Sequence, residues 1–421
     1  MKNVLKAVSD AYHQGDHTGI TSVCSAHPVV IESALKLALE TGRTALIEAT
    51  CNQVNQDGGY TGMTPSDFRR FVEKIAARVG LGSGQILLGG DHLGPNPWKH
   101  LDADAAMAKA EKMIAAYAEA GFTKLHLDTS MGCRGESVAL ADEETARRAA
   151  QLAAVAERHK KAFDPMYVIG TEVPVPGGAT HTINTLELTH PDAVAKTFAV
   201  HRDAFAADGL QDAFSRVMAL VVQPGVEFGH TDIVHYDPAK AKALSAKLSD
   251  YPDLVFEAHS TDYQTAENLH NLVSMGFAVL KVGPWLTFVL REALYKLDAI
   301  ANILDGKVPS GHLMATMEAA MLSEPGNWQS YYSGSEHEQW IQRHFSLSDR
   351  IRYYWPEPAV NEVVEDMLAR LGEREIPPPL VHQYFPDMGM QSESATGREL
   401  LVNSVVGVLR LYDDATRLTT T

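Results

Sequence analysis

The chain has 421 residues, 45% hydrophobic and 21% charged, with a formal net charge of −17. This is the composition of a globular protein large enough for one barrel-sized domain and an extension. The acidic balance excludes general affinity for nucleic acid or an anionic membrane surface, so an anionic substrate would have to be met by a few local Lys or Arg side chains.

Residues 1–10 turn polar too soon for a signal peptide, and no run of about 18 apolar residues occurs. Cys24, Cys51 and Cys133 show no CxxC spacing and suit a reducing compartment, so a cytoplasmic location is expected. From residue 19 a pattern begins: a short apolar, β-branched run that ends abruptly on a polar group. It occurs first at 19–27, then at 45–48, 86–92, 124–128, 167–172, 220–223, 254–259 and 278–281. Strands buried on both faces of a parallel sheet read this way. Between the runs lie segments with helical spacing, such as 105–120 and 143–160. Eight such units fit the size of a (β/α)8 TIM barrel, in which the strand ends converge on one pocket. The rival, an open doubly wound sheet, would show a Gly-rich phosphate turn after an early strand. None follows Cys24 or Glu48.

Past residue 310 the composition shifts. Residues 327–355 are dense in aromatic and charged groups, Pro377, Pro378 and Pro379 interrupt, and an amphipathic stretch spans 398–411. The expected organisation is a barrel over 1–310 and a mainly helical extension over 311–421 packed on it.

The run ends carry the chemistry. Side chains alternate faces along a strand, so Glu257 and His259 point one way, as do His126 and Asp128. Asp91 and His92 are adjacent, where one can bind a metal while the other handles a proton. A lone buried histidine commonly just hydrogen-bonds a carbonyl. With Glu48, Asp128, Glu172 and His259 at the same rim, a working site is favoured. Two histidines and a carboxylate suit Zn²⁺ or Mn²⁺ with positions left for substrate oxygens, which makes His92, Glu172 and His259 the expected metal ligands. An all-oxygen Mg²⁺ site fits less well. Lys281 could form a Schiff base with a carbonyl, but Gly283 and Pro284 beside it read better as a turn that approaches phosphate. The Gly-rich loop 58–65 combines an active-site loop with a helix start, and 174–178 reads as part of a lid. No Walker A, kinase Gly-rich loop or GxGxxG motif is present.

Nine ordered motifs resemble the GatZ/KbaZ family. They are 23–28, 47–54, 59–65, 89–96, 169–178, 221–228, 256–264, 280–284 and 349–356, and they span nearly the whole chain. The family is known for non-catalytic subunits of class II tagatose-1,6-bisphosphate aldolase, once labelled tagatose-6-phosphate kinases. It also contains C4 epimerases that interconvert tagatose 6-phosphate and fructose 6-phosphate. The resemblance implies a (β/α)8 barrel and ketohexose metabolism, and leaves enzyme and subunit both open. A rim of ionisable groups, costly to desolvate, favours an enzyme.

For C4 epimerisation, retro-aldol cleavage of C3–C4 and recombination on the other face is the expected route, because hydride removal would need a nicotinamide site. Asp91 and Asp128 are the expected proton-transfer groups, with Glu48 as alternate. Gln223, Glu257, Lys281, Gly283, Arg350 and Arg352 are the expected substrate-binding residues, Gly283 through a backbone N–H to phosphate. The expected partner is a small sugar phosphate. A second copy of the chain or an aldolase catalytic subunit is the protein partner left open.

Overall fold

Eight parallel strands close into a barrel: β1 (Ile20–Cys24), β2 (Ala45–Thr50), β3 (Ile86–Leu93), β4 (Lys124–Leu127), β5 (Met166–Ile169), β6 (Val217–Val222), β7 (Val255–Ala258) and β8 (Val279–Val282). Each pairs with its neighbours in sequence, and β8 returns to β1 with Ile20 opposite Val279. The structure is a computed structural model describing residues 4–170, 186–388 and 395–417. Every residue of β6 is buried, which is why the run Val217–Val222 carries no polar alternation.

The intervening helices begin where local chemistry starts them. Thr64 caps Pro65–Val79 in a reciprocal box with Asp67, and Pro28, Pro191, Pro238 and Pro284 each open a helix with a ring already set near helical φ. The two segments with helical spacing are found as Ala103–Glu119 and Asp142–His159. No helix among the described residues is long and apolar enough to cross a membrane.

Two features concentrate polar chemistry at one end of the barrel. At the lower end, helix Val4–His13 inserts Leu5 and Val8 into a lumen cluster with Ile20, Leu46, Met166, Val168, Met218, Val255 and Val279. The bottom is therefore an apolar plug. At the upper end the extension reaches back: Leu347 N–H donates to His230 O at 2.9 Å, Ser348 N–H to Gly229 O at 3.1 Å, and the Tyr263 hydroxyl to Leu347 O at 2.8 Å.

The extension is mainly helical, with helices His312–Ser323, Glu336–Phe345, Pro358–Leu371, Pro378–Tyr384 and Gly397–Ala415. The last of these packs against helices Pro28–Thr41, Ala266–Ser274 and Pro284–Leu304 of the barrel's outer ring. Its end is tied to the start of β1, where Gly19 N–H donates to Thr416 O at 3.0 Å and Arg43 pairs with Asp413 at 3.0 Å.

Candidate active site

The third strand does the unusual local work. In a regular strand Asp91 and His92 would face opposite sides. The β3–β4 register slips between Gly90 and Leu93, and His92 takes a φ of 49°, a left-handed conformation rare outside glycine. Both side chains thereby line the same cavity, a space of about 550 Å³ above the strand ends. Gly89 is a spatial requirement: a Cβ there would lie 2.5 Å from Glu48 Oε1.

Beneath the cavity lies a buried ion cluster. Lys124 Nζ contacts Glu48 Oε1 at 2.6 Å and Glu257 Oε2 at 2.7 Å, close charge contacts that fall outside hydrogen-bond angles. Lys281 Nζ lies 2.8 Å from Glu48 Oε2, 2.5 Å from Asp91 Oδ1 and 3.9 Å from Glu257 Oε1. Burial disfavours both ammonium groups, yet the surrounding carboxylates raise the Lys124 value and hold Lys281 well above the ordinary lysine range. Glu257 and Asp91 show the reverse balance. Burial pushes both up, but Lys124 and Lys281 around Glu257, and His92 and Lys281 around Asp91, hold them well below the usual carboxylate range.

Three imidazoles gather at the floor, His92 and His259 lining the cavity and His126 packed fully buried behind them. The ring centroids of His92, His126 and His259 lie 4.9–5.3 Å apart, and one ligand atom from each, with one from Asp91, all fall within 4.8 Å of one another. Each ring is oriented by a partner. Asp128 Oδ2 lies 2.8 Å from His92 Nδ1, Gly170 O lies 3.0 Å from His126 Nε2, and Glu257 Oε1 lies 2.9 Å from His259 Nε2. Burial drops His259 to about 3, so its ring is neutral and able to ligate.

Among the expected residues, Asp91, His92, His259, Lys281, Gly283, Arg350 and Arg352 line the cavity. Four others do not line the cavity and lie behind that wall. Glu48 is held by the two lysines, and Asp128 is turned onto His92 and Ser130. Glu257 is shared by Lys124 and His259, and Gln223 accepts from Gly225 and Val226 N–H to fix its own loop. The Gly283 N–H donates to Asp262 Oδ1 at 3.1 Å, so it is not available to phosphate. Glu172 and the 174–178 loop lie outside the described residues.

Lys124 and Asp262 also belong to the site, and so does His126, for which the shared face with Asp128 implied no role of its own. A charge opening an otherwise apolar run was the available signal for Lys124, and shared parity with Asp128 was the signal for His126.

A (β/α)8 barrel with ionisable groups gathered at the C-terminal ends of its strands is the class that fold and site define. The chain belongs to the D-tagatose-1,6-bisphosphate aldolase subunit GatZ/KbaZ-like family, whose sequence model matches residues 5–417. It is 50% identical over 420 residues to the D-tagatose 6-phosphate 4-epimerase of Agrobacterium fabrum (strain C58), with 99% of each chain covered. It also matches the crystal structure of a probable tagatose 6 phosphate kinase from Sinorhizobium meliloti 1021, with 53% identity and a TM-score of 0.87, over 94% of this chain and 100% of that one.

Proposed function

We propose that the chain is an epimerase that interconverts tagatose 6-phosphate and fructose 6-phosphate at C4 by retro-aldol cleavage and recombination. The observation that carries this is the cluster of His92, His126, His259 and Asp91 beside the Lys281 ammonium at the floor of the cavity. The similarity to a protein named as a tagatose 6-phosphate 4-epimerase supports the substrate.

The donor set fits a divalent ion. His126 places its Nε2 3.0 Å from Gly170 O and its Nδ1 3.0 Å from Asp91 Oδ1, and against the effect of burial this last contact raises the His126 value; a proton fills it, and a bound ion would take its place. Glu48, Asp91, Asp128 and Glu257 set against Lys124 and Lys281 leave two negative charges when the imidazoles are neutral. Three imidazoles and a carboxylate suit Zn²⁺ or Mn²⁺. When bound, the ion supplies Lewis acidity that stabilises negative charge on the C2 and C3 oxygens of a ketose.

The hydrogen on C4 is not adjacent to the carbonyl and is not acidic, so inversion requires breaking C3–C4. Removing the C4 hydroxyl proton starts that cleavage. Asp91 offers the ion one carboxylate oxygen and takes this proton on the other, and the Lys281 ammonium, 2.5 Å from Asp91 and also facing the cavity, stabilises the C4 oxygen as the proton leaves. Glu48 holds Lys281 in position from behind, and Asp128 holds His92. The aldehyde fragment then turns, recombination occurs on its other face, and the proton returns. A Schiff-base route needs a neutral amine, which the carboxylates around Lys281 oppose. The three free cysteines suit a reducing, cytoplasmic setting.

The family description carries a second reading, a non-catalytic partner of a class II aldolase. The isolated chain with Mn²⁺ or Zn²⁺ should convert tagatose 6-phosphate to fructose 6-phosphate, stop on chelation and recover on metal addition. Deuterium at C4 should be retained with no large primary isotope effect, and traces of dihydroxyacetone and a three-carbon aldehyde phosphate should escape. A chain that is inert alone but protects an aldolase subunit would establish the second reading instead. A large C4 isotope effect would remove the retro-aldol route.

A further inference from the structure

The common phosphate position of a (β/α)8 barrel, at the N-terminus of the helix after β8, is filled here by the protein's own carboxylate. Asp262 Oδ1 accepts from Gly283 N–H at 3.1 Å and from Trp285 N–H at 2.8 Å, at the head of helix Pro284–Leu304. Left-handed backbone at Ser260 (φ 51°) and Tyr263 (φ 64°) shapes the loop that places it. A phosphate arriving there would meet a buried anion.

The same cavity has a wall of opposite sign, contributed by the extension. Arg350 and Arg352 both line it. Arg350 is buried, donates from Nε to Asn327 O at 2.6 Å, and stacks its guanidinium 3.5 Å from the Tyr331 ring centroid and 4.9 Å from that of Tyr353. Arg352 lies 5.2 Å from the Tyr353 centroid. Among the described residues neither guanidinium has a carboxylate within ion-pair distance, whereas Arg43, Arg148, Arg216 and Arg343 each meet one at 3.0 Å or less. The neighbouring Asp349 turns to its own loop and accepts from Ile351 N–H at 2.7 Å. Asp349 and Asp262 act on Arg352 through space without reaching it, so both guanidinium groups keep donors turned to the cavity that an external anion can complete. Their planar donors suit phosphate oxygens.

We propose that Arg350 and Arg352, carried by the extension rather than by the barrel loops, anchor the phosphate of a ketohexose monophosphate. The proposal rests on the epimerase reading for the sugar, while the anchor itself requires only a phosphomonoester. It assigns the ends of the substrate: the phosphate goes to the extension wall, and the ketose carbonyl to the histidine cluster on the floor.

The test is direct binding, independent of turnover. Calorimetric titration of the metal-loaded chain with fructose 6-phosphate should show affinity about 10- to 100-fold weaker in Arg352→Gln, the range expected for losing a charged hydrogen bond. Arg350→Gln should weaken binding in the same direction, and both variants should retain their metal. On the unmodified protein, phenylglyoxal should label Arg350 and Arg352, and inorganic phosphate should protect both, a result that does not depend on any variant folding. Unchanged affinity in folded variants, or labelling that phosphate does not protect, overturns the anchor and leaves the epimerase reading standing. A wild-type chain that binds fructose 6-phosphate through these arginines but never epimerises removes the epimerase reading and leaves the anchor. No binding of fructose 6-phosphate or phosphate by the wild type overturns it.

Discussion

Asp128 shows how one buried side chain supports the site without entering the cavity. Its Oδ2 lies 2.8 Å from His92 Nδ1, which leaves His92 Nε2 turned toward Asp91 at 3.5 Å. Burial pushes the Asp128 carboxyl up, but the hydrogen bond and charge of His92, with His126 and the Ser130 hydroxyl, together outweigh it and hold the group at about 2, against an ordinary 3.8. Because the folded value is the lower one, the carboxylate stabilises the fold above about pH 4 and loses that contribution as pH falls through about 2. The shift corresponds to roughly 2 kcal/mol. Asp128→Asn should therefore flatten the urea-unfolding free energy across that acid window by a comparable amount. It should also weaken metal affinity or turnover by about 10- to 100-fold, as loss of a ligand's orienting partner does. An acid profile identical to wild type would remove the interaction from the stability of the site. Asp91 differs. It lies inside the candidate ligand group, so Asp91→Asn should lose metal as well as turnover, measured as metal content after dialysis.

At the scale of the element, β3 sets the geometry through what it lacks as much as what it carries. A Cβ at Gly89 would press on Glu48 Oε1 at 2.5 Å and on Glu48 Cγ at 2.7 Å, and Glu48 can give way only by leaving Lys124 and Lys281. Gly89→Ala should cost about 1–3 kcal/mol, the usual penalty of overpacking, and should also depress turnover by displacing Lys281. Gly84→Ala is the control, since nothing lies within 4 Å of the added carbon. Equal unfolding free energies for the two variants would rule out the spatial role of Gly89. The strand itself was legible as a run over 86–92, but its bulge was not. Period-two alternation separates Asp91 from His92, and the slip that reunites them arises from pairing with β4.

For the molecule as a whole, the last helix is part of the barrel's wall. Leu400, Leu401, Val405, Leu409 and Tyr412 are buried, and fully burying a large apolar side chain contributes about 1.5–3 kcal/mol. Their combined contribution is comparable with the roughly 5–15 kcal/mol that holds a typical domain folded. A chain ending at residue 396 should lose its cooperative thermal transition by circular dichroism. A shortened chain that melts as sharply as the full one would show that the barrel stands alone. The change in composition past residue 310 was visible in sequence, whereas its spatial consequence was not. The extension seals the entry to β1 through Thr416 and walls the cavity through Arg350 and Arg352.

The sequence by itself determined the eight strands and the polar groups at their ends, because a strand buried on both faces must be apolar until it emerges, and the helices between them carry their own caps and prolines. It could not determine which of those polar ends meet. Lys124 on β4 touches Glu48 on β2 and Glu257 on β7, strands made neighbours across the lumen only by closure of the barrel. That closure set Glu48, Asp128 and Glu257 behind the cavity wall and brought His126 to His92 and His259. It also placed Asp262 on the Gly283 N–H, a contact between two loops that no local pattern encodes. Local chemistry decides which elements form, and the packing of distant elements decides which charges share a site.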